Sequence, residues 1–339
     1  RLGDVHRRWP GVVAADALSA LDSATTAACA RLLADRRLAA ADFEVLDQVF
    51  EHLISASSKG SKGQFFTPRH VVECCVRIAA PQPGEHIVDP ACGSGGFLLH
   101  ALSYIRRGQP ELDVGAWSAR YLHGVDWDER AVRIAGALLL VAGGRPDGLL
   151  HGDSLSRAGS SPWASALPSG GADLILTNPP FAGEVSDPEL LASYELGSGG
   201  GRIERDVLFI ERCLELLRPA GRLVIVLPHN KVGSRRFAPL RRWLLERLRV
   251  VAVVGLPQAT FMPHTSQKTA IVVGIKRATI GPPGADEVIN FAISERAGKD
   301  RRGAPMARGG ASSGGSAWLT LDHDLEQVVS GLGWPFGGP

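Results

Sequence analysis

The segment Asp89-Pro-Ala-Cys-Gly-Ser-Gly-Gly96 follows a short apolar run, His86–Asp89, and leads directly into a helical pattern. Glycines between a strand and a helix permit a tight turn and let a ligand approach the backbone closely. The spacing of Gly93, Gly95 and Gly96 is not the dinucleotide-binding Gly-x-Gly-x-x-Gly, and no Gly-Lys-Ser/Thr of a phosphate-binding loop follows. The segment predicts a ligand-binding turn; a tight turn without a ligand is the alternative.

Six further apolar runs predict strands, at Leu122–Asp126, Leu149–Asp153, Asp173–Thr177, Arg222–Leu227, Val250–Leu256 and Thr269–Ile275. Helical patterns separate most of these runs, at Pro68–Ala80, Gly96–Arg106, Glu129–Ala142, Asp206–Leu217 and Phe237–Arg247. Alternating strands and helices are typical of βαβ units, so we expect an α/β fold with a mostly parallel sheet. No helical pattern separates the last two strands, which permits an antiparallel pair there.

The composition is that of a globular protein with a large core. Of 339 residues, 45% are hydrophobic and 21% are charged, and the formal net charge is +2. These values exclude a wholly disordered chain, and the balanced charge does not by itself indicate a nucleic-acid partner. None of the five cysteines forms a Cys-x-x-Cys pair, which argues against a disulfide framework or a zinc site and favours a cytoplasmic location. No apolar run reaches the roughly 18 residues of a membrane span.

The two ends of the chain differ from its centre. We expect residues 1–60 to be a helical segment of a truncated domain, residues 61–280 to be the α/β domain, and residues 281–339 to be a Gly-rich C-terminal tail or linker. Within the first of these, Phe43–Ser55 carries apolar residues at helical spacing. The chain begins with Arg1 rather than methionine, so we expect either a fragment of a longer protein or a misplaced gene start. Glycine-rich composition predicts two mobile segments, Glu184–Arg205 and 296–317.

A second candidate site, Thr177-Asn178-Pro179-Pro180-Phe181, also follows a predicted strand. The side-chain carbonyl of Asn178 and the backbone carbonyl of Pro179 can accept the two hydrogens of one exocyclic amine. The two prolines hold that geometry rigidly, and Phe181 can stack on a base. Asp126 ends the second predicted strand, where a carboxylate can accept ribose hydroxyls. A rigid turn with a core phenylalanine, and a solvated acid at Asp126, are the alternatives.

Three motifs occur in the order Phe66-Thr67-Pro68, Asp89–Gly96 and Asn178-Pro-Pro-Phe181. In this order they resemble the DNA methyltransferases that modify the N6 amine of adenine. More closely, the chain is similar to the methylation subunit of type I restriction-modification systems. The likeness runs from about Phe43 to Arg277. It also includes Gly63–Arg69, Asp206–Arg212, Phe261–Thr265 and Lys268-Thr269.

The resemblance implies a Rossmann-like methyltransferase sheet of seven strands and S-adenosylmethionine as cofactor. It implies that the segment Gln64 to Arg69 covers the methionine end of the cofactor, with Thr67 near its carboxylate. Asp126 would take the ribose and Asp153 would lie near the adenine ring; a helix cap and loop solvation are the alternatives for Thr67 and Asp153. The implied cofactor-binding residues are Gln64, Phe65, Phe66, Thr67, Pro68, Arg69, Asp89, Ala91, Gly93, Ser94, Gly95, Gly96, Asp126 and Asp153. The implied catalytic residues are Asn178, Pro179, Pro180 and Phe181. Accordingly, Gly95→Val is expected to fill the space of the cofactor.

The chain departs from the family pattern at several positions. The acid of the second strand is Asp126 rather than the more frequent Glu, and Trp127 beside it can pack either on the cofactor adenine or on the core. His229-Asn230-Lys231 stands where the family often has an acid or Asn with Gly, which leaves the role of that loop open. Cys92 lacks an adjacent base, so we expect a small buried residue rather than the nucleophile of a cytosine methylase. The arginine-rich stretch 235–249 is either a solvated face or a phosphate-contacting one.

The resemblance implies double-stranded DNA as substrate, with the target base flipped into the pocket. The C-terminal residues are too few for a target-recognition domain, so we expect sequence specificity to come from a partner subunit or from a missing part of the chain. A specificity subunit is the expected partner, and a restriction subunit is a further candidate. No membrane association is expected. Methylases of protein glutamine or of guanine N2 in RNA use similar Asn-Pro-Pro turns and remain alternatives, although glutamine methylases generally have Tyr after the prolines. An inactive methylase-like scaffold is the remaining alternative.

Overall fold

The computed structural model describes residues 22–34, 67–157, 170–308 and 321–332, together with residues 7, 161, 163, 166 and 167. Its helices are α1 (Ser23–Ala34), α2 (Arg69–Ala79), α3 (Gly96–Gly108), α4 (Val114–Tyr121), α5 (Glu129–Val141), α6 (Pro188–Ala192), α7 (Arg205–Leu216), α8 (His229–Gly233), α9 (Ala238–Arg247) and α10 (Leu325–Leu332). Its strands are β1 (Ile87–Asp89), β2 (Leu122–Asp126), β3 (Leu149–His151), β4 (Ala172–Thr177), β5 (Glu184–Val185), β6 (Ile203–Glu204), β7 (Leu217–Pro228), β8 (Leu248–Gly255), β9 (Thr269–Lys276) and β10 (Asn290–Ile293). The amphipathic segment predicted at Phe43–Ser55 lies outside these described residues.

Eight strands form one sheet in the order β10-β8-β9-β7-β4-β1-β2-β3. β9 pairs antiparallel with both of its neighbours, and the other pairs are parallel. The α/β fold with a mostly parallel sheet is therefore confirmed, as is the antiparallel pairing permitted for β8 and β9. The seven strands expected from the sequence are all present, and the eighth, β10, was not among them.

Helices cover both faces of the sheet. The side chains of β7 alternate between the two apolar clusters that lie on these faces. Val224 and Val226 belong to the apolar cluster under α2, α3 and α10. Leu223 and Ile225 belong to the cluster under α7 and α9. Because successive residues of a strand point to opposite faces, a strand buried on both sides is apolar at every position. This continuous run is the signal by which the sequence predicted β7.

The segment after β9 contributes to the packed domain. β10 pairs in parallel with β8, and α10 packs on α2. The imidazole ring of His323, just before α10, stacks on that of His70 in α2 with 5.0 Å between ring centroids. A strand and a helix therefore lie within residues 281–339, where the sequence indicated only a tail or linker.

The segment Glu184–Arg205, expected to be mobile, is folded. β5 and β6 form an antiparallel pair, and α6 lies between them. The Asp187 carboxylate accepts hydrogen bonds from the backbone N–H groups of Glu189 and Leu190, and Pro188 occupies the first turn of α6. Both are typical start signals of a helix. Among the described residues, none of the helices is long and apolar enough to cross a membrane.

Candidate active site

A cavity of about 850 Å³ opens at the carboxyl ends of β1, β2, β3 and β4. In parallel α/β sheets the turns that follow these strand ends meet at one edge, which is where ligands usually bind. The residues that line the cavity here come from the turns after Asp89, Asp126, His151 and Thr177. The two motifs that were picked out from the sequence therefore share one cavity.

The glycine-rich turn forms one wall of the cavity. The backbone N–H of Gly93 donates to Oδ2 of Asp126 at 2.8 Å, which ties the turn after β1 to the end of β2. Gly93 has φ +51°, and a side chain added there would meet no atom within 4 Å. Gly95 has φ +82°, but an added Cβ would lie 2.9 Å from Cβ of Ala135 in α5. The expectation that Gly95→Val fills the cofactor space is therefore wrong, because that side chain would strike a neighbouring helix.

Two carboxylates lie at the strand ends beneath this wall. The buried Asp89 carboxylate accepts hydrogen bonds from the backbone N–H of Ala91 at 3.0 Å and from the hydroxyl of Thr177 at 2.7 Å. Burial raises its pKa to about 7. Asp126 accepts from Gly93 and, through Oδ1, from the backbone N–H of Asp128 at 2.8 Å, and burial raises its pKa as well. Each carboxylate oxygen of Asp126 has one bond to a backbone N–H, which leaves lone pairs for ligand hydroxyls.

Trp127 follows Asp126 on the rim of the cavity. Its side chain is 74% exposed, although it lines the cavity. Of the two roles that the sequence left open, packing on the core is therefore wrong. An exposed aromatic face beside the Asp126 carboxylate suits a flat ring. Asp153 also lines the cavity, and its carboxylate accepts from the backbone N–H of Leu155 at 2.9 Å.

Asn178, directly after β4, faces the same cavity from the opposite side. Its side-chain N–H donates to the hydroxyl oxygen of Thr67 at 2.9 Å. Its side-chain oxygen is buried and has no hydrogen-bond partner among the described residues. A buried acceptor without a partner costs free energy, and a ligand that donates to this atom would remove that cost. Thr67 is therefore part of the site, but its observed contact is with Asn178 rather than with a helix N-terminus.

Phe181 closes this side of the cavity. Its ring packs edge-on against Phe261, with 5.6 Å between centroids and 73° between planes. Phe261 is fully buried, so the orientation of Phe181 is supported by the core. Pro179 and Pro180 also line the cavity between Asn178 and Phe181. The segment Phe261–Thr265, which the sequence could only associate with the family pattern, thus supports the aromatic ring of the site.

The residues after β4 and β5 supply a wall that the sequence did not indicate. Glu184, Ser186, Asp187 and Arg205 all line the cavity. The helix-start signal at Asp187-Pro188 could have revealed that this glycine-containing segment is folded. It could not have shown that the segment lies against the cavity.

Side chains of helix α7 make hydrogen bonds to two loops near the cavity. The Arg212 guanidinium donates to the backbone carbonyl of Ser154 at 2.9 Å, in the turn after β3. The Glu211 carboxylate accepts from the backbone N–H groups of Glu195 and Leu196, each at 2.8 Å. The motif Asp206–Arg212 therefore has a structural role, because its side chains hold two loops by hydrogen bonds.

The loop after β7, whose role the sequence left open, is held by the same helix. Lys231 in α8 is 2% exposed, and its Nζ lies 2.9 Å from Oδ2 of Asp206. Lys231 also pairs with Glu204 of β6 and lies over the ring of Phe237 at 4.3 Å. The side chain of Lys231 thus connects α8 to β6 and to the start of α7.

Two further expectations concern Cys92 and the arginine-rich stretch. Cys92 is buried, and burial raises the pKa of its thiol well above the usual value, which is opposite to what a nucleophile requires. In the arginine-rich stretch, Arg236 pairs with Glu204 at 2.9 Å and Arg247 pairs with Glu195 at 2.8 Å. These two guanidinium groups are occupied within the chain. Three other arginines of the stretch are exposed, namely Arg235, Arg242 and Arg249.

Most of the residues predicted from the sequence line this cavity. They are Thr67, Arg69, Asp89, Ala91, Gly93, Ser94, Gly96, Asp126, Asp153, Asn178, Pro179, Pro180 and Phe181. Pro68 and Gly95 belong to the same turns but are not part of the lining. Gln64, Phe65 and Phe66 lie outside the described residues.

The sheet order has one antiparallel strand near its edge, which is the arrangement of the Rossmann-like methyltransferase fold. The family described as N-6 DNA methylase matches residues 41–303, most of the chain. The chain belongs to this family.

Curated relatives are similar in sequence. The methylase subunit of the type I restriction enzyme EcoEI from Escherichia coli is 29% identical over 238 residues, which cover 68% of this chain and 45% of that protein. The EcoKI methylase subunit from Escherichia coli is 28% identical over 242 residues, covering 68% of this chain and 43% of that protein. The chain spans less than half the length of these relatives.

Solved structures share the fold. The methyltransferase subunit of a type I restriction-modification system from Streptococcus thermophilus superposes with a TM-score of 0.63 at 20% identity, covering 91% of this chain and 61% of that one. The EcoKI M protein superposes with a TM-score of 0.53 at 23% identity, covering 71% of this chain and 51% of that one.

Proposed function

We propose that this chain is the catalytic part of a DNA methyltransferase that transfers a methyl group from S-adenosylmethionine to the N6 amine of adenine. The observation that carries the proposal is the buried, unpartnered side-chain oxygen of Asn178, a residue that lines the same cavity as the glycine turn. An exocyclic amine is a hydrogen-bond donor of the right kind for this acceptor. The family membership and the curated methylase subunits support the same activity.

The cavity suits two ligands that meet at its centre. Its volume of about 850 Å³ lies in the upper part of the range of small-molecule sites, which is roughly 300–1,000 Å³. The open space at Gly93, the carboxylate of Asp126 and the exposed ring of Trp127 fit a nucleoside cofactor on one side. Thr67, Arg69 and Asp153 complete the proposed cofactor side. When bound, S-adenosylmethionine supplies an electrophilic methyl group.

On the other side, the chain would bind and orient a flipped adenine. Phe181 offers a ring face for stacking, which is worth about 1–3 kcal/mol per base in other nucleic-acid complexes. The side-chain oxygen of Asn178 and the backbone carbonyl of Pro179 would accept the two amine hydrogens, which would increase the electron density on the amine nitrogen. Catalysis then rests on positioning and on fixed dipoles, without a covalent bond to the enzyme.

We further propose that the chain acts as the modification subunit of a restriction-modification system. The curated relatives are named methylase subunits of type I restriction enzymes. A specificity subunit would then supply the recognition of the DNA sequence, with a restriction subunit as a further partner. Within the arginine-rich stretch, the exposed side chains of Arg235, Arg242 and Arg249 would offer nonspecific phosphate contacts.

The direct test is methyl transfer with labelled S-adenosylmethionine. The chain is produced together with a specificity subunit and incubated with DNA that carries no adenine methylation. Nucleosides are then separated by liquid chromatography. We expect the label on N6-methyladenine. Label on protein glutamine or on guanine N2 of RNA would contradict the proposal, as would failure of the folded complex to bind S-adenosylmethionine in calorimetry.

A further inference from the structure

We propose that Thr67 is a positioning residue for Asn178, whose side-chain amide it holds in place on the base side of the cavity. The inference rests on the proposed function and deepens it, because it assigns a task on the base side of the cavity to a residue whose motif is expected to serve the cofactor. The two residues are 111 positions apart in sequence and meet only in the fold.

The contact is directional. An N–H of the Asn178 amide donates to the Thr67 hydroxyl oxygen at 2.9 Å. The amide oxygen is buried and has no partner among the residues that the structure describes. The side chain of Asn178 makes no other hydrogen bond within the described part of the chain. In the observed orientation the Thr67 hydroxyl is the acceptor. After a half-turn of the amide the same hydroxyl could donate to the amide oxygen, so the bond fixes the position of the amide rather than which end faces Thr67.

That orientation decides whether the site can accept an amine. An amide presents an acceptor on one side and two donors on the other, and a half-turn about its last bond exchanges them. With the N–H group toward the cavity, a substrate amine would meet a donor instead of an acceptor. A dipole stabilises the charge that develops in a transition state most effectively when it is already oriented before the reaction.

Thr67 is itself held in place. It directly precedes Pro68 and α2, and α2 is anchored by buried residues such as Val71, Val72 and Cys75. Proline fixes its own φ and restricts the residue before it to extended conformations, which limits the positions of the Thr67 hydroxyl. The position of the hydroxyl is thus supported by the buried helix α2 that follows it.

The first test observes the amide directly and needs neither cofactor nor DNA. The chain has three asparagines, Asn178, Asn230 and Asn290, so selective nitrogen-15 labelling gives three pairs of side-chain amide signals. Asn178→Asp identifies one pair by its loss. In the wild type and in Thr67→Ser we expect slow hydrogen exchange of this pair. In Thr67→Val, which keeps the shape of the side chain without the hydroxyl, we expect exchange at least tenfold faster.

A control variant distinguishes the loss of the hydrogen bond to Asn178 from the loss of a buried hydroxyl elsewhere in the protein. Thr269 is fully buried, and its hydroxyl has no hydrogen-bond partner among the described residues. Thr269→Val is therefore expected to leave the Asn178 signals unchanged. Equal exchange rates in the wild type and in Thr67→Val would overturn the inference, whatever reaction the protein catalyses.

The second test is a double-mutant cycle on single-turnover methyl transfer at saturating S-adenosylmethionine, with the assembled complex. We expect Thr67→Val to slow transfer about tenfold or more and Thr67→Ser to restore the rate to within about threefold. Because Thr67 acts through Asn178, adding Thr67→Val to Asn178→Ala should cause little further loss. If the two losses multiply, Thr67 serves only the cofactor or the fold and the inference is wrong. If no variant or wild type methylates adenine, the proposed function fails, while the exchange result stands.

Discussion

The hydroxyl of Thr177 donates to the carboxylate of Asp89 at 2.7 Å, and so the ends of two neighbouring parallel strands, β4 and β1, are joined inside the protein. Both residues adjoin turns of the site, since Asn178 follows Thr177 and the glycine turn follows Asp89. Asp89 is 1% exposed, and burial raises its pKa from 3.8 to about 7 despite this hydrogen bond.

The raised pKa predicts a stability cost that appears as the pH increases. Between the unfolded value near 4 and the folded value near 7, the native state holds the proton of Asp89 more tightly, so this group's contribution to the free energy of unfolding falls with rising pH. Asp89→Asn keeps an acceptor and removes the charge. Relative to the wild type, this variant should gain stability between pH 5 and pH 8, by on the order of 4 kcal/mol at most. Urea unfolding of both proteins measures the difference, and an equal difference at the two pH values would contradict it.

Gly93→Asn is expected to block the cofactor side of the cavity. The added side chain projects from the cavity wall into open space, whereas a Gly95 variant would strike α5. We expect S-adenosylmethionine affinity to fall at least tenfold, as measured by calorimetry. Asparagine tolerates positive φ, so the free energy of unfolding should fall by only about 1 kcal/mol.

The matched control is Gly143→Asn, at a second positive-φ glycine with open space around it but outside the cavity lining. It should cost similar stability and leave affinity unchanged. Wild-type affinity in folded Gly93→Asn would show that the cofactor does not approach this turn.

Phe181→Ala should weaken capture of the flipped base more than it affects the cofactor. Loss of the stacking face is expected to cost about 1–3 kcal/mol, which would appear as a higher KM for DNA or a lower transfer rate. Phe181→Trp keeps a ring and should retain more activity than Phe181→Ala. Fluorescence of 2-aminopurine placed at the target adenine reports base capture, and equal signals from the two variants would contradict a stacking role.

Lys231→Met should be among the more destabilising single changes, because it leaves Asp206 charged and buried without its partner. Removing one member of a buried ion pair typically costs about 3–5 kcal/mol. Arg236→Met is the control, since Arg236 also pairs with Glu204 but its side chain is 73% exposed. That change should cost less than about 1 kcal/mol. Equal urea midpoints for the two variants would show that the Lys231 network is not important for the fold.

Local pattern predicted most of the fold because the central strands are buried on both faces. β4 and β7 are nearly continuous apolar runs, and such runs are visible in any window of the sequence. β10 was missed because it lies at the edge, where Phe291 is 75% exposed and hydrogen bonding to β8 rather than burial defines the strand. Edge strands lack the continuous apolar run by which buried strands are recognised in a sequence.

The site was predictable where it depends on short motifs and not where it depends on distant contacts. The turns at Asp89–Gly96 and Asn178–Phe181 each follow a strand, so their shared edge of the sheet could be inferred. The bond from Asn178 to Thr67 could not, because it joins positions 111 residues apart. The exposure of Trp127 could not be inferred either, because a tryptophan beside a strand packs on the core as readily as on a ligand.

The most direct test of the central claim is single-turnover methyl transfer by Asn178→Ala in the assembled complex. Losing one preorganised group of this kind typically slows a reaction about 10²–10³-fold. Cofactor affinity should barely change, because Asn178 lies on the base side of the cavity. The account predicts this loss of rate with wild-type S-adenosylmethionine binding in calorimetry, and the remaining label on N6 of adenine. Wild-type turnover by Asn178→Ala, or label on cytosine C5 or on protein, would contradict it.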